Sequence, residues 1–271
     1  MIFSNLHTHT TFSDGKNSPL EMIEKAKELS FTSLGFSDHS EKMASDSIFP
    51  TKNNLNEYGE SISELKNRFE GEINIFCGIE KDSFSEIDHG DFDYVIGSVH
   101  FISAFDEIIP IDLSREDQLT FIEKHGRGDM LELARRYYDS LVTFAQKDCF
   151  DILGHFDLVN KFSLFREDDP QYLKIAGDAL EEVVNCVPFV EVNTGAISRG
   201  YRVFPYPAAP FLSNLSRLGG KVVINSDAHS AEGLGCFFDQ IPGILKDAGF
   251  TSFYQKLNRT FEEIPLNENK K

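Results

Sequence analysis

At 271 residues, with 41% hydrophobic and 26% charged side chains, the chain has an ordinary globular composition and a length that suits one large barrel or two small domains. It has no long apolar run and no basic stretch followed by an apolar segment at its N-terminus, so neither a membrane span nor a signal peptide is expected. The net charge of −18 argues against a nucleic-acid partner, and an acidic chain that handles an anion would need bound divalent cations for a local positive field.

The apolar run Met1-Ile2-Phe3 reads as the start of a strand leading into Asn5–Gly15. Alternate residues of an extended segment share a face, so His7 and His9 point the same way, with the Asp14 carboxylate five residues on. By themselves these residues are either half of a transition-metal site or two surface histidines. Ser18-Pro19-Leu20-Glu21 is a capping box with proline at the first helical position, and Leu20, Ile23, Ala26 and Leu29, flanked by Met22, continue it as an amphipathic helix. Ser33–His39 is a short apolar strand ending in the polar pair Asp38-His39. A second helix is predicted over 54–70, with Leu55, Tyr58, Ile62, Leu65 and Phe69 on one face and Gly71 as its stop.

Ile73–Glu80 reads as a strand ending in a carboxylate, 81–92 as a loop, and Tyr94–His100 as a fourth strand. Residues 101–127 form an insert or lid, and 129–147 a helix whose apolar side is Leu131, Ala134, Tyr138, Leu141 and Phe144. Strands at Phe150–His155, Phe189–Asn193 and Lys221–His229 alternate with helices at 170–186 and 208–218; the tail, 231–258, reads as helical and then polar. The four cysteines are scattered without a C-x-x-C pair, the pattern of buried reduced thiols in a cytosolic protein.

Seven strands thus end at His7, His39, Glu80, His100, His155, Asn193 and Asp227, most of them separated by helix-length segments. This is the pattern of parallel β/α units in one domain spanning 1–271, and in a β/α barrel the C-terminal strand ends converge on one face. Six of the eight histidines, His7, His9, His39, His100, His155 and His229, fall at or just past these ends. His89 and His125 read as surface groups, with His125 alternatively part of a lid. Adding Asp14, Glu80 and Asp227 gives nine nitrogen and oxygen donors, enough for two or three first-row ions, and the absence of cysteine from these places favours an open, catalytic site.

His7-x-His9, Asp38-His39, Glu80, His100, His155 and Asp227-x-His229 resemble, in order and spacing, the motifs of the PHP (polymerase and histidinol phosphatase) domain over essentially the whole chain. The resemblance implies a distorted (β/α)7 barrel with a trinuclear centre of zinc, iron or manganese, and the length is similar to that of histidinol-phosphate phosphatases that work without a polymerase domain. It further implies that His7, His9, Glu80 and Asp227 hold one ion. Glu80 would bridge to a second held by His100 and His155, while Asp14, His39 and His229 would hold a third. Asp38 reads either as a loop-turn residue or, the preferred expectation, as a support for a ligand from behind. Six neutral imidazoles, three carboxylates and three divalent ions leave a net charge of about +3, suited to a phosphate dianion, and a hydroxide shared between two ions would be the nucleophile.

On the substrate side, Arg199 lies in a glycine-flanked loop just past the sixth strand, where it could clamp phosphate through two parallel hydrogen bonds; Lys161, Asn193 and Arg202 are further candidates. Asp106, Glu107, Asp112, Glu116 and Asp117 in the insert could favour an ammonium-bearing alcohol, or simply form a solvated acidic face. The expected activity is metal-dependent hydrolysis of L-histidinol phosphate by a cytoplasmic enzyme. A phosphoesterase acting on nucleotides or other small phosphomonoesters, and a non-catalytic metal-binding protein, stand as alternatives. No residue type at these positions identifies the general acid, and nothing in the sequence fixes the oligomeric state.

Overall fold

A computed structural model of the chain describes residues 2–40, 55–104 and 107–266. The strands are β1 (Ser4–Asn5), β2 (Ser33–Phe36), β3 (Asn74–Asp82), β4 (Tyr94–Ser98), β5 (Phe101–Ala104), β6 (Glu107–Pro110), β7 (Ile152–Leu153), β8 (Phe189–Asn193), β9 (Val222–Asn225), β10 (Ser252–Lys256) and β11 (Phe261–Pro265). The helices are α1 (Pro19–Glu28), α2 (Leu55–Arg68), α3 (Arg115–Lys124), α4 (Met130–Lys147), α5 (Pro170–Val183), α6 (Gly195–Ser198), α7 (Ala209–Arg217) and α8 (Ile241–Asp247).

Strands β1, β2, β3, β4, β7, β8 and β9 follow one another in parallel, as the β/α alternation requires. The two ends of this row meet just beyond β1 and β9. Thr8 and Ala228 form a parallel bridge, with the His9 amide donating to the Ala228 carbonyl at 2.9 Å and the Ala228 amide to the His7 carbonyl at 3.1 Å. The seven strands therefore form a distorted (β/α)7 barrel. Below the seam β1 and β9 diverge, and β10 fills the gap: it pairs with β9 at Tyr254, and its Gln255 side chain accepts from the Phe3 amide at 2.7 Å.

Inside the ring Leu6, Phe76, Tyr94, Ile96, Ile152 and Val223 form a separate apolar plug. Tyr94 is its keystone. Its ring lies where a Cβ on Gly35 or Gly78 would stand, each 2.3 Å from a tyrosine atom, so both glycines are dictated by close approach. Its hydroxyl donates to the Phe36 carbonyl at 3.0 Å and lies against that of Leu6. The larger core, between strands and helices, is built from stripes such as Met22, Ile23 and Ala26 of α1 and Leu133, Tyr137, Leu141 and Phe144 of α4.

Several expectations are corrected. In α1, begun by the expected capping box, Met22 is buried and Leu29, at the helix C-cap, is 40% exposed. On α4 the expected Ala134, Tyr138, Leu141 and Phe144 are buried, but the inward face is wider, taking in Leu133 and Tyr137, and Leu131 is only half-buried. The tail is not mainly helical: only α8 is, and the β10–β11 hairpin follows it. The four cysteines are free, as expected, but Cys149 and Cys186 are exposed and Cys77 and Cys236 half-buried. The stretch 101–127 contains a hairpin (β5–β6) and α3, with Ile102, Ile109, Ile111 and Phe121 buried in the main core. Residues 41–54 and Asp106 lie outside the described residues. Among those described, no helix is long and apolar enough to cross a membrane.

Candidate metal centre

Every expected ligand stands at the same end of the barrel. His7 and His9 sit in the extended chain just past β1, their ring centroids 5.2 Å apart. His39 follows β2, Glu80 stands in β3 two residues before its end rather than closing it, His100 follows β4, His155 follows β7, and Asp227 and His229 follow β9. Most are buried; Asp14 and His229 are partly open, at 35% and 23% side-chain exposure, and form the mouth.

Glu80 is the centre of the cluster. One of its oxygens lies 3.1 Å from His155 Nε2, 3.3 Å from His7 Nε2 and 3.4 Å from His100 Nε2; the other lies 3.0 Å from His39 Nδ1 and 3.5 Å from His9 Nε2. A single buried carboxylate thus faces five imidazoles. The donor atoms gather in four overlapping groups: His9, Asp14, His39 and His229; His7, Glu80 and His155; His7, His9 and Asp227; and His39, Glu80 and His100. Within each group the atoms lie within 4.8 Å of one another, close enough to share an ion. Compared with the expected sets, His9 joins the Asp14 group, while His155 gathers with His7 and His100 with His39.

The residues fit a metal by a further test. His7 Nε2, both ring nitrogens of His9 and Glu80 Oε2 are buried without a hydrogen-bond partner. Burying such groups unmade is costly, and coordination is what satisfies them. The charge balance agrees. Burial alone would lower His7, but Glu191, Glu80 and Asp227 outweigh it and hold the imidazole well above its ordinary value. His9, buried and flanked by His229 and His39, is pulled down to about 3. Burial opposes ionisation of Glu80 and Asp227, yet the surrounding histidines, and for Asp227 first of all Arg199, keep both carboxyls well below the carboxylate range.

The backbone around these groups is specialised. Asp227 takes a left-handed conformation at φ 47°, and a Cβ on Gly195 would come within 2.9 Å of its side chain. Asp38 takes the turn-residue role. Its carboxylate accepts from the Thr10 amide (2.7 Å), the Ser13 hydroxyl (2.6 Å) and the Ser13 amide (3.1 Å), folding the turn that presents Asp14.

The substrate-side expectations divide. Arg199, Lys161 and Asp112 line a cavity of about 210 Å³ that opens onto the ligand cluster. Arg199 donates to the Asp227 carboxylate and carbonyl at 2.8 and 3.0 Å, and Lys161 to the Asp112 carbonyl at 2.7 Å. Asn193 and Arg202 are not among the lining residues. Asn193 spans Glu191 and the Gly195 amide, and Arg202 is buried between Asp157 (3.0 Å) and Glu167 (2.8 Å) over the Tyr206 ring. Of the insert's acids, Glu107 pairs with Lys124 and His125, Asp117 accepts from the hydroxyl of Ser114, the N-cap of α3, Glu116 is exposed, and Asp112 faces the cavity. His89 pairs with Asp151 at the surface.

Two inward acids escaped sequence reading. Asp82, two residues beyond Glu80, lies 3.3 Å from His100 Nδ1, and Glu191 of β8 lies 2.7 Å from His7 Nδ1. The available signal was alternation: Glu80-x-Asp82 and Glu191-x-Asn193 each place two polar groups on one strand face.

Known proteins resemble the chain along its length. It is 29% identical to the "Probable histidinol-phosphatase" of Deinococcus radiodurans, covering 91% of this chain and 93% of that one. It is 26% identical to the histidinol-phosphatase of Bacillus subtilis, covering 86% and 96%. The crystal structure of the Lactococcus lactis histidinol phosphate phosphatase, complexed with zinc, L-histidinol and phosphate, superposes with a TM-score of 0.72 at 21% identity, covering 96% of this chain and 98% of that one. The profile of the PHP domain matches residues 5–195, most of the chain and seven of its nine candidate ligands. The chain belongs to the PHP domain family.

Proposed function

We propose that this chain is a metal-dependent phosphomonoesterase that hydrolyses L-histidinol phosphate to L-histidinol and phosphate. The observation that carries the reading is the meeting, in one cavity, of seven of the nine clustered donors, Glu80 among them, with two cations and an acid: Arg199, Lys161 and Asp112. His7, His9, Asp14, His39, Glu80, His100, His155, Asp227 and His229 would hold two to three divalent ions, with Glu80 shared between positions. Zinc, iron and manganese all suit imidazole and carboxylate donors. Bound there, such ions neutralise phosphate charge and make water a competent nucleophile at neutral pH.

The protein's own groups do the rest. Arg199, fixed by the Asp227 carbonyl and carboxylate, presents its guanidinium at the cavity wall, where it can take phosphate oxygens. Lys161, held by the Asp112 carbonyl and carboxylate, lines the same cavity and adds a second positive charge. Asp112 has one carboxylate oxygen buried and unpartnered, while the other receives Lys161 at 3.2 Å; that free oxygen suits the ammonium of an amino alcohol. The similarity to proteins named histidinol-phosphatase supports this choice of alcohol. A small cavity and a net charge of −18 disfavour oligonucleotides. A cytoplasmic location belongs to the same reading, in keeping with four free cysteines.

The test is a substrate panel containing L-histidinol phosphate, nucleoside monophosphates and a labelled oligonucleotide, assayed with and without chelator. Chelator-sensitive turnover that prefers L-histidinol phosphate is expected. Preference for a nucleotide would replace the substrate, and no turnover after metal reconstitution would leave a binding protein.

A further inference from the structure

Glu191 is fully buried on β8, facing the barrel interior, and belongs to none of the candidate ligand groups. It is nevertheless among the most heavily bonded carboxylates at this end of the barrel. Oε1 lies 2.7 Å from His7 Nδ1 and accepts from the Asn225 amide group at 2.9 Å; Oε2 accepts from the His155 backbone amide at 3.0 Å and from the Asn193 amide group at 2.8 Å.

The consequence for His7 is specific. A carboxylate only accepts, so when the His7 ring is neutral, as ligation requires, its hydrogen sits on Nδ1 and the lone pair is left on Nε2. That atom has no hydrogen-bond partner, is buried, and belongs to two of the four donor groups. The second oxygen of Glu191 simultaneously pins the backbone of His155, which shares one of those groups with His7 and Glu80. One side chain therefore sets the tautomer of one ligand and the position of another. The contacts of Glu191 do not extend to the Asp14 group, whose members His9 and His229 stack on each other at 4.1 Å and whose His229 Nδ1 is met instead by Arg199 at 2.8 Å.

We propose that Glu191 is the positioning residue for the metal position held by His7, Glu80 and His155, acting through the His7 imidazole and the His155 backbone, and leaving the Asp14 position independent of it. The inference rests on the proposed metal centre. It differs from a purely structural role, in which Glu191 would serve only to satisfy Asn193, Asn225 and a strand amide.

The experiment compares wild type with Glu191→Gln and Glu191→Ala by titrating cobalt(II) or zinc against a chromophoric chelator and by melting the metal-free proteins. Glutamine keeps the volume and one acceptor, so the metal-free variant should melt close to wild type. Its affinity at one class of site should fall about 10- to 100-fold, the range for removing a group that orients a ligand. The remaining class should keep wild-type affinity. Glu191→Ala should show the same selective loss. Affinities within twofold of wild type at every class, or equal weakening at all of them, would overturn the proposal. A wild-type protein that binds no ion would instead overturn the metal centre itself, a distinguishable result.

Discussion

The two ends of the barrel are built from the same seven strands and solve opposite problems. At the N-terminal end and in the lumen, Tyr94 fills the space left by Gly35 and Gly78, its hydroxyl meets a carbonyl, and β10 covers the gap between β1 and β9. At the C-terminal end His7, His9 and Glu80 keep buried polar atoms unpaired, and Asp227 holds a left-handed backbone. Packing is completed at one end and deliberately left incomplete at the other. The unmet groups mark where a ligand must complete the structure, since a fold tolerates such costs only where something else repays them.

Changes at the two ends should therefore fail differently. The largest effect is expected from Glu80→Ala, which removes the one carboxylate that faces five imidazoles. Elemental analysis should find more than one ion lost per chain. Turnover should fall by about 10³-fold or more, because ions contribute several kcal/mol to such chemistry and each ~1.36 kcal/mol is tenfold in rate. Loss of one ion or none, with near-normal turnover, would deny the shared role.

Arg199→Ala should leave metal content unchanged and lower kcat/KM for L-histidinol phosphate by roughly 10²-fold, with weaker inhibition by inorganic phosphate; Arg199→Lys should recover part of it. If kinetics and phosphate inhibition stay at wild-type values, Lys161 becomes the clamp. At the opposite end, Gly78→Ala drives a methyl group into the Tyr94 ring and should cost about 1–3 kcal/mol in chemical denaturation, while the folded fraction keeps its metal stoichiometry. A variant that melted normally but lost its ions would erase the distinction between the ends.

The smallest effect concerns protons. Burial depresses His7, His39 and His100, but neighbouring carboxylates, Glu191 and Glu80 for His7, Asp14 and Glu80 for His39, and Glu80 for His100, raise all three above the ordinary imidazole value. Without metal their stabilising contribution is fully present below that ordinary value and is lost as pH rises through the raised ones. Ligation needs the neutral ring, so metal uptake near pH 7 should release on the order of one proton or more, and affinity should rise with pH. Glu80 and Asp227 are already ionised and His9, at about 3, already neutral, so none of them contributes. Calorimetry in buffers of different ionisation enthalpy reads the number directly; zero release would place the charges elsewhere.

How far the sequence carried this picture depended on whether a residue's role was local. The nine donors were readable because each follows an apolar strand, and the strands because helices separate them. Glu191 was not, since an inward acid on a strand looks like any alternating polar residue until His7 is placed beside it from 184 positions away. Arg199 and Arg202 are three residues apart in one loop, and only tertiary contacts decide that one meets the cavity and the other is locked to Asp157. The β10–β11 hairpin was missed because Ser252-Phe253-Tyr254-Gln255-Lys256 is short and mixed, and its strand character comes from β9 and β11 rather than from its own pattern.

The seam of the ring lies in the site itself. Thr8 and Ala228 join the first strand to the last, and the residues on either side of that bridge are His7 and His9 on one edge, Asp227 and His229 on the other. To open the barrel, those two edges must part. An ion held jointly by His7, His9 and Asp227 would act as a rivet across the slit, its affinity converted by mass action into resistance to opening. Loading the centre would then harden the whole ring against unzipping, and the amide protons of His9 and Ala228, which form the stitch, would be the ones whose exchange with solvent slows most.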